Sequence, residues 1–538
     1  MQPEFYQYKD HLIYRGYEAE LYGKVTELLK DTRSINGNAI AVPRSLYNCQ
    51  ILRWLDLPVT PIMDSYDWPH GPQIEHPTQA QKMMANFLVL HARSFNLSDM
   101  GTMKTLAALW AADFIMQQYA PGECRCLINA PLNTLQRVWA DALFANFLGR
   151  RTFQIVHHGN ADKRREQLAV PADFYIINPD GLKVGAKLRR RFELQGLSHD
   201  VHSRKDIKIA IVDEAATYRD RRTGRHRVAS VLYHPTRMPY LWLLTGTPTP
   251  NAPTDAYGLA KLVNDVGGES YTSFHRRTMV QLSQFKWIPA RGGYAAAARL
   301  LQPAIRFAIE DIWDGPACTI QQRAIELTQQ QHKLLSDLKR ELHVQINGQG
   351  ITPANEASVR SKALQICQGA IYDHAHKGHA VESDPRVKAL LECITQTTKK
   401  TLVFVPLTSV VNLLCKKLGE AGYGVIKING EVSIKARNEA IAAFRTDESV
   451  KVCIADPGCI AHGINEFVAA TTVVWYGPTD KTELWLQGNK RAHRPGQRFP
   501  VTIVQFCATA LEREIFRRLE KSESLQGLML LWIKQEKI

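Results

Sequence analysis

Toward the C-terminal end of this 538-residue chain, Gln487-Gly-Asn-Lys-Arg491-Ala-His-Arg494-Pro-Gly-Gln497 sets two arginines three residues apart, expected on one helical face. A guanidinium is planar, permanently charged and matched to phosphate oxygens. Arg491 and Arg494, bracketed by Gln487 and Gln497, therefore read as a fork for the γ-phosphate of a nucleotide. Far upstream, Ser98-Asp-Met-Gly101-Thr102-Met103-Lys104-Thr105 runs into a helical pattern. A phosphate loop needs backbone N–H groups at a helix N-terminus, a lysine for the β/γ-phosphates and a hydroxyl for Mg²⁺. Gly101, Thr102, Met103, Lys104 and Thr105 fill those positions, with Lys104 and Thr105 as the lysine and the hydroxyl. Glycine is usual where Met103 stands, often at positive φ. Met103 is expected to strain the loop and weaken turnover.

Ile207-Lys-Ile-Ala-Ile-Val-Asp213-Glu214 ends an apolar strand in two carboxylates. At the carboxyl edge of a parallel sheet, Asp213 would hold Mg²⁺ and Glu214 would polarise an attacking water. A strand ending in a solvated acidic turn has the same pattern. Thr245-Gly246-Thr247-Pro248 follows another apolar strand, where small hydroxyl residues can relay nucleotide state or merely make a turn. Gln81, just before the first α/β segment, has an amide able to donate and accept together, as reading an adenine edge requires.

Two segments must position these residues. Short apolar strands alternate with amphipathic helices, as in parallel α/β sheets. Strands are predicted at Cys126–Ala130, Phe174–Ile177, Ile207–Val212 and Leu241–Leu244, then at Thr401–Val405, Val425–Ile428, Lys451–Ala455, Thr472–Tyr476 and Val501–Phe506. Helices are predicted at Thr105–Gln118, Val410–Ala421, Ile434–Phe444 and Leu511–Leu519. The chain divides into an accessory region (1–70), a first lobe (71–271), a mostly helical connection (272–384) and a second lobe (385–538). Pro58 to Pro72 reads as a linker. Tyr6, Tyr8, Tyr14 and Tyr17 point to a packed or partner-binding face, so a protein partner is expected to have access through residues 1–70. The net charge of +15 favours a polyanionic partner. No apolar run reaches membrane-span length and no signal peptide is evident, so a cytoplasmic protein without membrane contact is expected.

The ordered set Gln81, the Lys104 loop, Asp213-Glu214, Thr245-Gly-Thr-Pro248 and Gln487…Arg491…Arg494 resembles superfamily 2 helicases, and within them the Snf2-like branch of double-stranded DNA translocases. Arg491-Ala-His-Arg-Pro-Gly-Gln497, Ile428-Asn-Gly430 with Arg437, and Gly463-Ile-Asn465 resemble second-lobe motifs of that branch. Asn129-Ala-Pro131 and Asn178-Pro-Asp-Gly-Leu182 resemble its first-lobe DNA-contacting motifs. Met103, Ser98, Ala216 and Pro495 depart from its pattern.

The resemblance implies an α/β fold of two tandem RecA-like parallel-sheet lobes, with a helical connecting region and a small N-terminal region. It implies ATP and Mg²⁺, with Thr105 and Asp213 as metal ligands. It implies coupling through Thr245, Gly246, Thr247, Gly463 and Asn465. Duplex DNA would be met through Asn133, Thr134, Asp180, Arg219, Arg221, Arg222, Gly430 and Arg437, mainly at phosphates. Arg225 and Arg227, and the run Lys187, Arg189, Arg190 and Arg191, could track a backbone or form a solvated face. The expected activity is ATP-driven movement on duplex DNA, in a bacterial or phage-infected cell. An unwinding helicase on branched DNA or RNA, and an ATP-binding clamp with weak hydrolysis, are the alternatives.

Overall fold

The computed structural model describes residues 4–16, 23, 26–36, 38–72, 76–183, 194–284, 286–341, 344–346, 349–351, 356–373, 377–397, 399–460 and 466–535. The chain forms two compact units, one reaching to Ala308 and the other running from Ile309 to Gly527.

The first unit opens with an antiparallel sheet of β1 (Glu4–Tyr8), β2 (His11–Arg15), β3 (Arg33–Ile35) and β4 (Ala39–Pro43), in the order β1-β2-β4-β3. Tyr14 is buried in it, while Tyr6 and Tyr8 are exposed. Tyr17 lies outside the described residues. Leu12, Tyr14, Ile40 and Val42 share one hydrophobic cluster with Trp110 and Trp139, so this sheet is part of the first-lobe core. The segment expected as a linker is also packed down. Met63 and Tyr66 are buried, the Tyr66 hydroxyl donates to Asp113 (2.6 Å), and the Trp110 indole donates to the Pro69 carbonyl (2.7 Å). Its aromatic residues Tyr66 and Trp68, packed on Phe114 and Trp110, give it area to bury.

Next come β5 (Arg93–Asn96), β6 (Arg125–Asn129), β7 (Phe153–Ile155), β8 (Phe174–Ile177), β9 (Ile207–Asp213) and β10 (Tyr240–Leu244). After a hairpin of β11 (Met279–Ser283) and β12 (Lys286–Pro289), the two-residue β13 (Ala304–Ile305) joins the sheet. Its order is β13-β5-β10-β9-β6-β8-β7, with every pairing parallel. Burial on both faces explains the near-continuous apolar runs of β8, β9 and β10, broken only by Lys208 before the end of β9. β5 escapes a hydrophobicity reading because two of its four residues, Ser94 and Asn96, are polar yet fully buried.

The second unit begins its sheet with β14 (Cys318–Ala324). Two small hairpins follow, β15 (Val344–Ile346) with β16 (Gln349–Ile351) and β17 (Ala370–Tyr372) with β18 (Gly378–Ala380). Then come β19 (Lys400–Phe404), β20 (Gly424–Ile428), β21 (Val450–Ala455), β22 (Ala470–Trp475) and β23 (Val501–Cys507). The parallel order is β14-β23-β22-β19-β21-β20. The connection over 272–384 is thus mixed rather than mostly helical. It carries the helices Gln329–Glu341 and Glu356–Gln368, but it also supplies β13 to one sheet and β14 to the other. Polar β14, Cys-Thr-Ile-Gln-Gln-Arg-Ala, lacks the apolar run of a central strand because it lies at a sheet edge. No helix among the described residues is long and apolar enough to cross a membrane.

Candidate nucleotide site

Parallel pairing puts the carboxyl ends of β5, β10 and β9 on one edge. Leu244 stands level with both Asn96 and Asp213. The loop after β5, the threonines after β10 and the acidic end of β9 therefore meet there, as ligand sites of open α/β sheets do.

The loop 98–103 leads into the helix Lys104–Met116. Gly101 has φ of 86°, and Met103 caps the helix at φ 58°, ψ 36° with no side-chain capping bond. Met103 is thus left-handed, the backbone state that glycine adopts without cost. Lys104 Nζ donates to the carbonyls of Ser98 (2.6 Å) and Asp99 (2.9 Å). The Thr102 hydroxyl donates to the Asp99 carbonyl (2.8 Å). Burial pushes the Lys104 ammonium below its ordinary range, against the opposing charges of Glu214, Asp213 and Asp99. Gln81 is buried inside the helix Gln79–Leu90 and closes a capping box with Thr78. Its Oε1 accepts from the Thr78 N–H (2.9 Å), and its Nε2 lies 3.4 Å from the Met103 sulfur.

At the end of β9, Asp213 Oδ2 accepts from the Trp139 indole (2.9 Å), and Oδ1 accepts from the Glu214 N–H (3.0 Å). Glu214 is left-handed, at φ 47°. Part of Asp213 still reaches solvent, but its carboxyl is enclosed and is raised to about 6. Burial is the main cause and the Glu214 charge adds to it, while the Trp139 bond and Lys104 pull the other way. Thr105 opens the helix beside Lys104.

Thr245 N–H donates to the Asn96 carbonyl (3.1 Å), and Thr247 N–H donates to Thr245 Oγ1 (3.2 Å). A Cβ on Gly246 would lie 3.4 Å from the Ser98 carbonyl and 3.5 Å from the Met100 nitrogen, so this backbone packs directly on the loop 98–103. The Thr247 hydroxyl is buried without a hydrogen-bond partner among the described residues. Gly463 and Asn465 lie outside the described residues.

In the second unit the helix Thr482–Asn489 carries Gln487 but ends before the arginines. Arg491 and Arg494 sit in the following turn, not on one helical face. Pro495 disfavours helix at the residue before it, and Gly496 takes φ of 101°. Gln497 fixes the turn by donating to the carbonyls of Val468 and Ala470 (both 2.9 Å) and Ala492 (3.1 Å), and by accepting from the Arg498 and Phe499 N–H groups. Arg491 and Gln487 are buried, and Gln487 Nε2 is 3.5 Å from Glu483. His493 bonds the Pro316 carbonyl (2.8 Å) and packs against Trp313.

The expected nucleic-acid contacts fall at sheet edges but are partly engaged already. Asn133 and the buried Thr134 follow β6, and the Thr134 hydroxyl donates to the Pro131 carbonyl (2.8 Å). Asp180 follows β8 and pairs with Arg225 (2.7 Å). Arg222 pairs with Asp220 (3.1 Å), Arg219 donates to the Ala216 carbonyl (3.1 Å), and Arg221 lies over the Tyr271 ring. Gly430 follows β20 with open space around it, and Arg437 reaches the Cys459 carbonyl (3.5 Å). Lys187, Arg189, Arg190 and Arg191 lie outside the described residues.

Two contributors carry no mark of their role in the sequence. Trp139 is core by pattern but donates to Asp213. Arg306 pairs with Asp99 inside the loop (2.8 Å, both largely buried), and the Phe307 N–H donates to Ser98 Oγ (3.0 Å). No local signal marks Arg306, because β13 brings it beside β5 across the whole lobe.

Residues 86–404, more than half the chain, match the family described as SNF2-related domain, and residues 385–496 match the helicase conserved C-terminal domain. The ATP-dependent helicase rhp16 of Schizosaccharomyces pombe is 27% identical over 151 residues, covering 27% of this chain and 17% of that protein. The match thus spans well under two thirds of that relative. Dbp5 of S. cerevisiae, solved with RNA and ADP BeF3, has a similar fold, with a TM-score of 0.50 and 14% identity over 90% of this chain and 99% of that one. The Sulfolobus solfataricus SWI2/SNF2 ATPase core, solved with dsDNA, gives 18% identity and a TM-score of 0.38, over 84% of this chain and 93% of that one.

Proposed function

The chain belongs to the SNF2-related domain family, and from that premise we propose that it is a nucleic-acid-dependent ATPase that moves on duplex DNA. The observation that carries this reading is the meeting of Lys104, Asp213 and Glu214 at one edge of a parallel sheet, over a helix N-terminus. Lys104 is assigned to the β/γ-phosphates, Glu214 to the attacking water and Gln81 to the adenine. Arg491 and Arg494, with Gln487 beside them, are assigned to the charge that develops on the transferred phosphoryl group.

The donor set fits magnesium. Asp213 is raised because it is buried beside a second carboxylate, which is an environment short of positive charge. Thr105 and Asp213 would hold the ion, and a bound divalent cation there would neutralise phosphate oxygens. The unpaired cysteines fit a reducing compartment, and the cytoplasm of a bacterial or phage-infected cell is the location proposed. Tyr6 and Tyr8, exposed on the N-terminal sheet, are assigned to contact with a protein partner.

The test is steady-state ATP hydrolysis with no nucleic acid, single-stranded DNA, duplex DNA and RNA, with Lys104→Ala as control. Stimulation by duplex DNA that the variant abolishes supports the proposal. Preferential stimulation by RNA or single strands would favour an unwinding helicase on branched DNA or RNA. The left-handed Met103 favours a second reading, an ATP-binding clamp with weak hydrolysis. Tight ATP binding without turnover would select it.

A further inference from the structure

The hairpin β11–β12 of the first unit plays no part in the nucleotide site. Val280 is 48% exposed, Leu282 57%, Trp287 40% and Ile288 37%. Val280 stands opposite Ile288, so these two share one face, and Trp287 stands opposite Gln281 on the other. Leu282 is the extra residue where the register shifts between Gln281 and Ser283. The Trp287 ring meets His275 edge-on at 4.5 Å.

The base of the hairpin is fixed, although a two-stranded ribbon alone is marginal in water. Thr278 is buried, its hydroxyl donates to the Phe274 carbonyl (2.7 Å), and its carbonyl accepts from the Ala290 N–H (2.8 Å). A Cβ on Gly293 would lie 2.5 Å from that carbonyl, so only glycine lets the chain return so closely. A firmly rooted ribbon therefore holds apolar side chains in water, where each costs free energy unless something covers it.

The surrounding charge selects the cover. From Ser270 to Arg299 the sequence contains no aspartate or glutamate, against five lysines and arginines. Arg276 and Arg291 are exposed at the two ends of the hairpin, and Arg277 pairs with Glu269 (2.7 Å). A polyanion with apolar faces between its charges satisfies both features, and base-paired nucleic acid is such a polymer. Apolar side chains can wedge between base steps, and aromatic rings can stack on exposed bases.

We propose that the paired strands β11 and β12 form a wedge whose described apolar side chains contact the bases of duplex nucleic acid. Arg276 and Arg291 take phosphates, and Leu282, with Val280 and Ile288, enters between base pairs and loosens them. The proposal rests on the duplex-DNA reading above for its polymer, but not for its ATP chemistry.

The test uses the full chain and a DNA duplex carrying 2-aminopurine, whose fluorescence rises on unstacking. Wild type should raise that signal on binding. Val280→Ser/Leu282→Ser/Ile288→Ser, changed only at exposed positions, should keep its thermal midpoint and its hydrolysis without nucleic acid while losing the rise at saturating protein. Arg276→Ala/Arg291→Ala should weaken binding and flatten its salt dependence by about 0.9 in logarithmic slope per lost phosphate contact. Duplex-stimulated hydrolysis by wild type without any rise would overturn the wedge and leave the motor intact. An unchanged rise in the triple variant would also overturn it. So would a wild-type dimer that the triple variant converts to monomer with no change in fluorescence, since the patch would then be a self-association face. A rise without stimulated hydrolysis would support the wedge and count against the motor.

Discussion

The amide nitrogen of Gln81 lies 3.4 Å from the sulfur of Met103, the residue that holds the phosphate loop in a left-handed turn. A thioether is a weak acceptor. This contact therefore couples the helix Gln79–Leu90 to the loop softly, and a nucleotide base able to bond the amide would displace it at little cost. Met103 itself is 47% exposed, so its side chain borders open space rather than filling a core.

The first prediction separates backbone strain from this contact. A left-handed turn costs a residue other than glycine about 1–2 kcal/mol. Met103→Gly should therefore raise the unfolding free energy by up to roughly 1 kcal/mol, since added chain freedom offsets part of the relief. It should also raise kcat. Met103→Leu keeps the strain and removes only the sulfur, and should leave kcat near wild type. Urea denaturation and steady-state hydrolysis report the two effects. Equal kcat for wild type and Met103→Gly would show that the loop strain does not limit turnover.

The Trp139 bond to Asp213 predicts a pH effect. The bond favours the carboxylate, so removing it should raise a group already at about 6. The carboxylate is the form that binds Mg²⁺, so kcat/KM should fall as pH drops through that value. In Trp139→Phe the acid limb should move to higher pH while the plateau persists. A limb that stays in place would assign it to another group.

Arg491 and Gln497 belong to one turn but should fail differently. Arg491→Ala should lower kcat by about 10³-fold or more, the range of related arginine contacts in phosphoryl transfer. Nucleic-acid affinity should persist. Gln497→Ala deletes hydrogen bonds to buried carbonyls, each of which costs about 1–3 kcal/mol when left unmade. Its thermal midpoint should drop together with its activity. Thermal melts beside hydrolysis assays distinguish the two patterns, and a kcat unaffected by Arg491→Ala would remove this arginine from the site.

His226 supplies a stability prediction away from the chemistry. Its ring bonds the Gly258 carbonyl (2.8 Å), and burial holds its pKa below the ordinary histidine value of 6.5. The unfolded chain therefore binds a proton more readily than the folded one. Stability should be level above about pH 6.5 and fall as pH drops below it. His157 and His202 shift in the same direction, so His226→Gln should shallow the slope rather than abolish it. Urea midpoints across pH 5 to 7.5 measure this, and an unchanged slope would exclude His226 as a contributor.

The sequence by itself determined the α/β class, most strand positions and the chain order of the Lys104 loop, Asp213-Glu214 and the arginine pair. Those features are local. A run such as Ile207–Val212 is apolar because both its faces are covered, and a loop before a helix must show its lysine in place. It could not reveal β5 or β14: buried Ser94 and Asn96 invert the usual link between polarity and position, and β14, exposed at a sheet edge, lacks the apolar run that marks a central strand. Nor could it place Arg306 on Asp99, Trp139 on Asp213 or Gln81 on Met103. Those contacts arise from strand order and register, which bring together residues that have no neighbours in common along the chain. The left-handed state of Met103 lay between the two. Its position before Lys104 raised the question, and only the path of the loop, packed between the β10 threonines and the Arg306 segment, decided it.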